Sequence, residues 1–171
     1  VGFTLGMGAG SLVSSALGEK RNEDAQIIGS SAFYGSVILG TIITVLCYIF
    51  MNPLMKLLGS TDDILPYARD YSLWIIAGFP LMAGSFVMNN LLRSEGKAKF
   101  AMIGLTTGGI LNMILDPVLI SGCSLGISGA AIATVISQAV SFTILLMMFL
   151  LKKSIIKLSI KETSHKIKVY G

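Results

Sequence analysis

Charge is scarce in this chain. Asp, Glu, Lys and Arg make up 13% of its 171 residues, where soluble domains carry roughly 25%. That deficit, with several apolar runs longer than about 18 residues, excludes an ordinary soluble domain and implies a polytopic membrane protein. Histidine is almost missing: the one residue, His165, lies in the basic tail. There is accordingly no His-Glu-x-x-His pattern for zinc and no Ser–His pair within the apolar stretches. Cys47 and Cys123 lack the spacing of a metal site. A second carboxylate inside the apolar stretches is also missing, which excludes an intramembrane aspartyl protease. The glycine-rich run Gly6-Met7-Gly8-Ala9-Gly10-Ser11 has no following Lys-Ser/Thr and no preceding strand, so it is not a phosphate loop. No enzyme and no cofactor is implied. The net charge of +4 does not argue for nucleic acid, because the basic residues lie between the apolar stretches and in the tail. The opening at Val1, which runs at once into small and apolar residues, does not read as a secretory leader, and the chain is expected to be a fragment.

What is there is apolar helix. Five membrane helices are expected, at about 1–17, 26–50, 70–92, 99–120 and 127–151, in an all-α polytopic bundle. The second could continue toward Leu58. Twenty-odd residues at 1.5 Å each cross a hydrocarbon core of ~30 Å. The connections are short and rich in glycine and charge: 18–24, 59–63, 94–97 and 121–124. Short links make successive helices antiparallel neighbours. Lys20, Arg21, Arg93, Lys97, Lys99 and six tail lysines then fall on one side, and only Lys56 and Arg69 on the other. By the positive-inside rule, loops 18–25 and 93–99 and the tail 152–171 are cytoplasmic. The tail reads as a basic linker or a surface-lying amphipathic segment.

Asp116 is the one charged residue within the long apolar stretches. A carboxylate at membrane depth costs a few to more than ~10 kcal/mol, and no Lys or Arg lies at its depth to pair with it. Asn112 stands one helical turn away on the same face. Helix rise places Asp116 roughly 6–8 Å, and Thr134 roughly 10 Å, below the outer surface of the core. Tyr71 sits at the outer start of the third helix. A carboxylate, an amide carbonyl and a hydroxyl are hard oxygen ligands for a small cation, and a desolvated carboxylate also accepts a proton. Pro117 removes a backbone donor beside them and permits a bend. Blander roles compete: Thr134 can bond its own backbone, and Tyr71 can be an interfacial aromatic. Asn89 and Asn90 read as helix-packing groups, and Phe33, Tyr34, Trp74, Phe79, Met82 and Met88 as candidates for an adaptable apolar cavity.

Four segments in order resemble one family. Gly10-Ser11-Leu12-Val13-Ser14-Ser15-Ala16-Leu17-Gly18-Glu19-Lys20 is similar to the second helix and following loop of the multidrug and toxic compound extrusion (MATE) transporters. Leu91-Leu92-Arg93-Ser94-Glu95-Gly96-Lys97-Ala98-Lys99 resembles the family's R-x-E-G turn. Leu111-Asn112-Met113-Ile114-Leu115-Asp116-Pro117 and Gly126-Ile127-Ser128-Gly129-Ala130-Ala131-Ile132-Ala133-Thr134 complete the set. The resemblance implies twelve spans in two six-helix lobes. This chain would be the second to sixth helices of the amino-terminal lobe and the start of the linker, without the first helix and the carboxy-terminal lobe. It further implies export of drugs or organic cations in exchange for H⁺ or Na⁺. The coupling cation would bind at Asp116, Asn112 and Thr134, a candidate sodium site, with Tyr71 as a neighbour. A flippase for lipids or oligosaccharides is the alternative; it would want a deep cationic cavity, and no Arg or Lys lies mid-span. A non-transporting membrane scaffold leaves the cost of burying Asp116 unexplained.

Overall fold

The computed structural model describes residues 2–59, 64–151 and 154–156. Seven helices follow one another: α1 Gly2–Gly18, α2 Asn22–Ile49, α3 Met51–Leu57, α4 Leu65–Ala77, α5 Phe79–Ser94, α6 Ala98–Pro117 and α7 Gly126–Leu150. A π-helical turn, Val118–Gly122, extends α6. Residues 60–63 of the expected outer loop and 152–153 and 157–171 of the expected linker lie outside the described residues.

Among the described residues, three helices are long and apolar enough to cross a membrane: Asn22–Ile49, Ala98–Gly122 and Gly126–Leu150. The α4–α5 pair makes a fourth if counted as one broken span. The expected first span is α1, whose 17 residues reach about 26 Å, short of a ~30 Å core. The single helix expected over about 70–92 is corrected. The structure has two helices, beginning at Leu65 and bent by 45° at Gly78.

The bend has a local cause. Pro80 has no N–H to give to the carbonyl of Ile76 one turn back. Thr44 of α2 supplies the missing donor, its Oγ1 lying 3.0 Å from Ile76 O. Tyr48, one turn further along α2, donates to Leu73 O at 2.6 Å. The bend is thus held from outside by α2.

Small residues set the helix spacing. A Cβ on Gly6 of α1 would lie 3.3 Å from Phe86 O and 3.4 Å from Val87 Cα, and one on Gly2 would lie 2.9 Å from Ala83 Cα. The backbones of α1 and α5 therefore nearly touch, the close approach that small residues one turn apart permit. The α6–α7 seam is built the same way. Gly104 receives the Leu145 side chain, Gly108 faces Ser141, and Ser141 Oγ donates to Gly104 O at 2.9 Å.

The main core gathers where α1, α2, α5, α6 and α7 meet. Val13, Val87, Met88, Leu91, Leu92, Ala101, Leu145 and Ile156 are all but fully buried there. A smaller cluster of Met51, Met55 and Ile76 joins α3 to α4. Many large apolar side chains face outward, among them Ile38, Ile42, Val45, Ile103, Ile110, Met113 and Ile114. Such a surface is stable only in an apolar medium.

Candidate cation site

Asn112 and Asp116 lie four residues apart near the Pro117 end of α6. The α-helical period puts them on one face. Asn112 Nδ2 donates to Asp116 Oδ1 at 3.3 Å and to Thr134 Oγ1 at 3.4 Å. Thr134 sends its own hydrogen to Ala130 O at 3.0 Å, so it is free to accept from Asn112. One amide nitrogen therefore bridges a carboxylate on α6 and a hydroxyl on α7. All three residues are half-buried.

Two features of the backbone place them. The glycine seam sets α6 and α7 at close range, and at its far end α7 opens against the π-turn. A Cβ on Gly129 would lie 2.7 Å from Leu119 O, so only glycine fits there. Pro117 withholds an N–H from Met113 O, and the chain then relaxes into wider turns, with Cys123 N–H donating to Val118 O at 2.9 Å.

Asp116 accepts this one hydrogen bond among the described residues, so most of its lone pairs stay open to a proton or a cation. Asn112 turns its nitrogen, not its carbonyl oxygen, toward the carboxylate. This supplies a donor to Oδ1 and leaves Oδ2 without a hydrogen bond among the described residues. For Asn112 to act as an oxygen ligand of sodium, its amide has to turn over. No group of three or more His, Cys, Asp or Glu side chains among the described residues could hold a metal ion.

Tyr71 is not drawn into this cluster. It lies on α4, two turns in from the helix start, is 39% exposed, and forms no hydrogen bond with Asp116, Asn112 or Thr134 among the described residues. The asparagines of α5 are packing groups. Asn89 Nδ2 crosses to Ala101 O of α6 at 2.9 Å, and Asn90 Nδ2 returns to Phe86 O at 2.8 Å.

Cavities also line the helices. Phe79, Met82, Ala83, Phe86, Gly2, Gly40 and Ile43 enclose an apolar recess of about 360 Å³. Of the aromatic and methionine candidates, only Phe79 and Met82 reach it. Met88 is fully buried in the core, Phe33 stacks on Phe142 and edge-on to Tyr34, and Trp74 is exposed. A second cavity of about 150 Å³ is lined by polar Ser85, Asn89, Asn90, Arg93, Gln138 and Ser141 together with apolar Phe86, Leu105 and Leu145. The buried Ser85 hydroxyl has no partner among the described residues. Sequence reasoning missed this cavity because serine and glutamine are common helix-packing residues in membranes, and only the register of three helices makes them converge.

Compared with known proteins, residues 1–118 match the MatE family model. The chain is 31% identical over 160 residues to the multidrug export protein MepA of Staphylococcus saprophyticus, and 29% identical over 161 residues to MepA of Staphylococcus aureus strain MRSA252. Each alignment covers 94% of this chain and 36% of the relative, so the chain spans little more than a third of these proteins. Among solved structures, it matches an inward-facing multidrug resistance MATE family transporter of the MOP superfamily with a TM-score of 0.90. That match is 26% identical and covers 99% of this chain and 39% of that one. An outward-facing conformation of a transporter so described also matches with a TM-score of 0.90, at 26% identity, covering 99% and 38%. The family, the apolar helices and the outward-facing apolar surface together make this a multi-pass membrane protein.

Proposed function

The chain belongs to the MatE family, and from that membership and the site above we propose that it forms part of the amino-terminal lobe of a multidrug efflux antiporter. Drugs or organic cations leave in exchange for inward movement of H⁺ or Na⁺. The observation that carries the coupling half of this reading is Asp116, a carboxylate in an apolar helix with one weak donor and open lone pairs. The export half comes from the relatives, which are multidrug export proteins.

Asp116 takes up the coupling cation. The donor arrangement around it favours the proton: Asn112 holds Oδ1, and Oδ2 receives H⁺. Sodium uses the same residues once the Asn112 amide has turned its oxygen inward, with Thr134 as the third oxygen. Either event removes the charge of Asp116 and with it the cost of exposing that face of α6 to a less polar setting. The balance between outward- and inward-facing states shifts by the difference in cation affinity between them. Relatives in inward- and outward-facing conformations match the described bundle equally well. That supports a lobe that moves largely as one body, with the change of access falling between lobes.

In this reading the ends bearing Arg21, Arg93 and Lys97 face the cytoplasm of a cell membrane, and the π-turn faces outward. The test is drug efflux from vesicles holding the intact transporter, driven separately by a proton and a sodium gradient. The proposal expects one gradient to drive native efflux and Asp116→Asn to abolish that drive. Efflux driven by neither gradient, or unchanged in Asp116→Asn, overturns it.

A further inference from the structure

The charged turn between α5 and α6 holds a buried carboxylate that the transport reading does not use. Gly96, at φ +76°, lets the chain reverse after α5, with Gly96 N–H donating to Arg93 O and Lys97 N–H to Leu92 O. That reversal turns Glu95 inward, and none of its side chain is exposed. Lys97 Nζ pairs with Oε2 at 3.0 Å. The other donors come from some sixty residues later in the chain. Ser154 Oγ and Ile156 N–H donate to Oε1, the latter at 3.1 Å, and Ile155 N–H donates to Oε2 at 2.8 Å.

A second, apolar anchor lies beside the first. Ile156 is fully buried, and its Cγ2 would stand 2.9 Å from a Cβ placed on Gly29 of α2. The absent side chain of Gly29 is the space that Ile156 fills. Gln26 Nε2, one turn earlier on α2, lies 3.4 Å from Ile155 O. Three consecutive residues just beyond α7 are therefore tied to the turn before α6 and to the foot of α2.

We propose that Glu95, with the Gly29 notch, is an intramolecular docking site for the segment 154–156, and that this strap binds the Arg93 end of the bundle into one unit. Charge-assisted hydrogen bonds to a buried carboxylate are the strong kind. Two successive backbone N–H groups plus a hydroxyl recognise a carboxylate through geometry that no side-chain charge could replace. Glu95 lies only three residues before α6, so the strap ties segment 154–156 to the foot of the Asp116 helix. None of this depends on the transport reading.

Hydrogen exchange at single amides in a bilayer mimetic tests it, because exchange reports local opening. The amides of Ile155 and Ile156 are expected to be protected in the native protein. Glu95→Gln keeps one acceptor oxygen and loses the other along with its charge. It should speed exchange at both amides by at least ~10-fold while the amides of residues 89–92 in α5 stay as slow as before. Unprotected native amides, or protection unchanged in Glu95→Gln, overturn the proposal. So does faster exchange spread through α5 and α6, which would make Glu95 a general stabiliser of the turn. Should Glu95→Gln not fold, Ser154→Ala removes a donor from the strap side and leaves every helix intact; the same local loss is expected there, and its absence is equally fatal.

Discussion

Asn112 and Asp116 stand one turn apart on α6, and the amide of the first donates to the carboxylate of the second at 3.3 Å. The same amide nitrogen reaches Thr134 on α7 at 3.4 Å. Asn112 is therefore the joint of the site: it gives Asp116 its one donor among the described residues and links the carboxylate to the neighbouring helix.

Removing that joint should uncouple transport. Asn112→Ala leaves the carboxylate with no hydrogen bond from the described residues, and hydrogen bonds to charged groups contribute about 1.5–3 kcal/mol. The affinity for the coupling cation should change by roughly 10–100-fold, read as a shift in the gradient needed for half-maximal efflux. With proton coupling, Thr134→Val removes only an acceptor of the second Asn112 hydrogen, and its effect should be smaller. Equal effects would mean that the hydroxyl, not the amide, sets the affinity.

The α6–α7 seam is predicted to tolerate no added side chain. In Gly108→Val the new Cβ would stand 2.9 Å from Ser141 Cβ and 3.2 Å from Ser137 O. Overpacking of this kind costs about 1–3 kcal/mol. Thermal unfolding in detergent should fall accordingly, and Asn112 should lose its reach to Thr134. Gly109→Ala, whose Cβ meets nothing within 4 Å, is the control and should be neutral.

The α4–α5 bend provides a third check. Thr44→Val keeps the shape of the side chain and deletes the donor to Ile76 O, the carbonyl that Pro80 leaves unpaired. A buried acceptor left unsatisfied costs about 1–3 kcal/mol, so the melting temperature should drop. Thr41 bonds Val37 O within its own helix, at 2.8 Å, and that carbonyl keeps its helical partner. Thr41→Val should change stability by under about 0.5 kcal/mol. Equal losses at Thr41 and Thr44 would refute the account of the bend.

How legible these features were in the sequence depended on the range of the interactions behind them. Asn112 and Asp116 are local, and a four-residue spacing in an apolar helix is enough to pair them. Helix rise put Thr134 at a depth near that of Asp116 in the sequence reading, but its contact with Asn112 depends on the glycine seam and the Gly129 contact with the π-turn. Those are properties of two helices together. The bend was signalled by Gly78-Phe79-Pro80, yet the apolar character runs straight through it, so hydropathy alone reads one span. Tyr71 was grouped with the site by estimated depth and by family resemblance; among the described residues it is 39% exposed and makes no hydrogen bond with Asp116, Asn112 or Thr134. The sequence placed Glu95 in a short charged turn but gave no sign of its burial, because the donors that bury it lie some sixty residues downstream.

The most direct test of the central claim is cation entry driven by a drug gradient. The intact transporter, native or Asp116→Asn, is reconstituted with pH- and sodium-sensitive dyes inside the vesicles. With native Asp116, an outward drug gradient should pull in one cation, H⁺ or Na⁺, in step with drug leaving, and in Asp116→Asn that cation flux should vanish. Cation entry that continues undiminished in Asp116→Asn would contradict the account and move coupling to another residue.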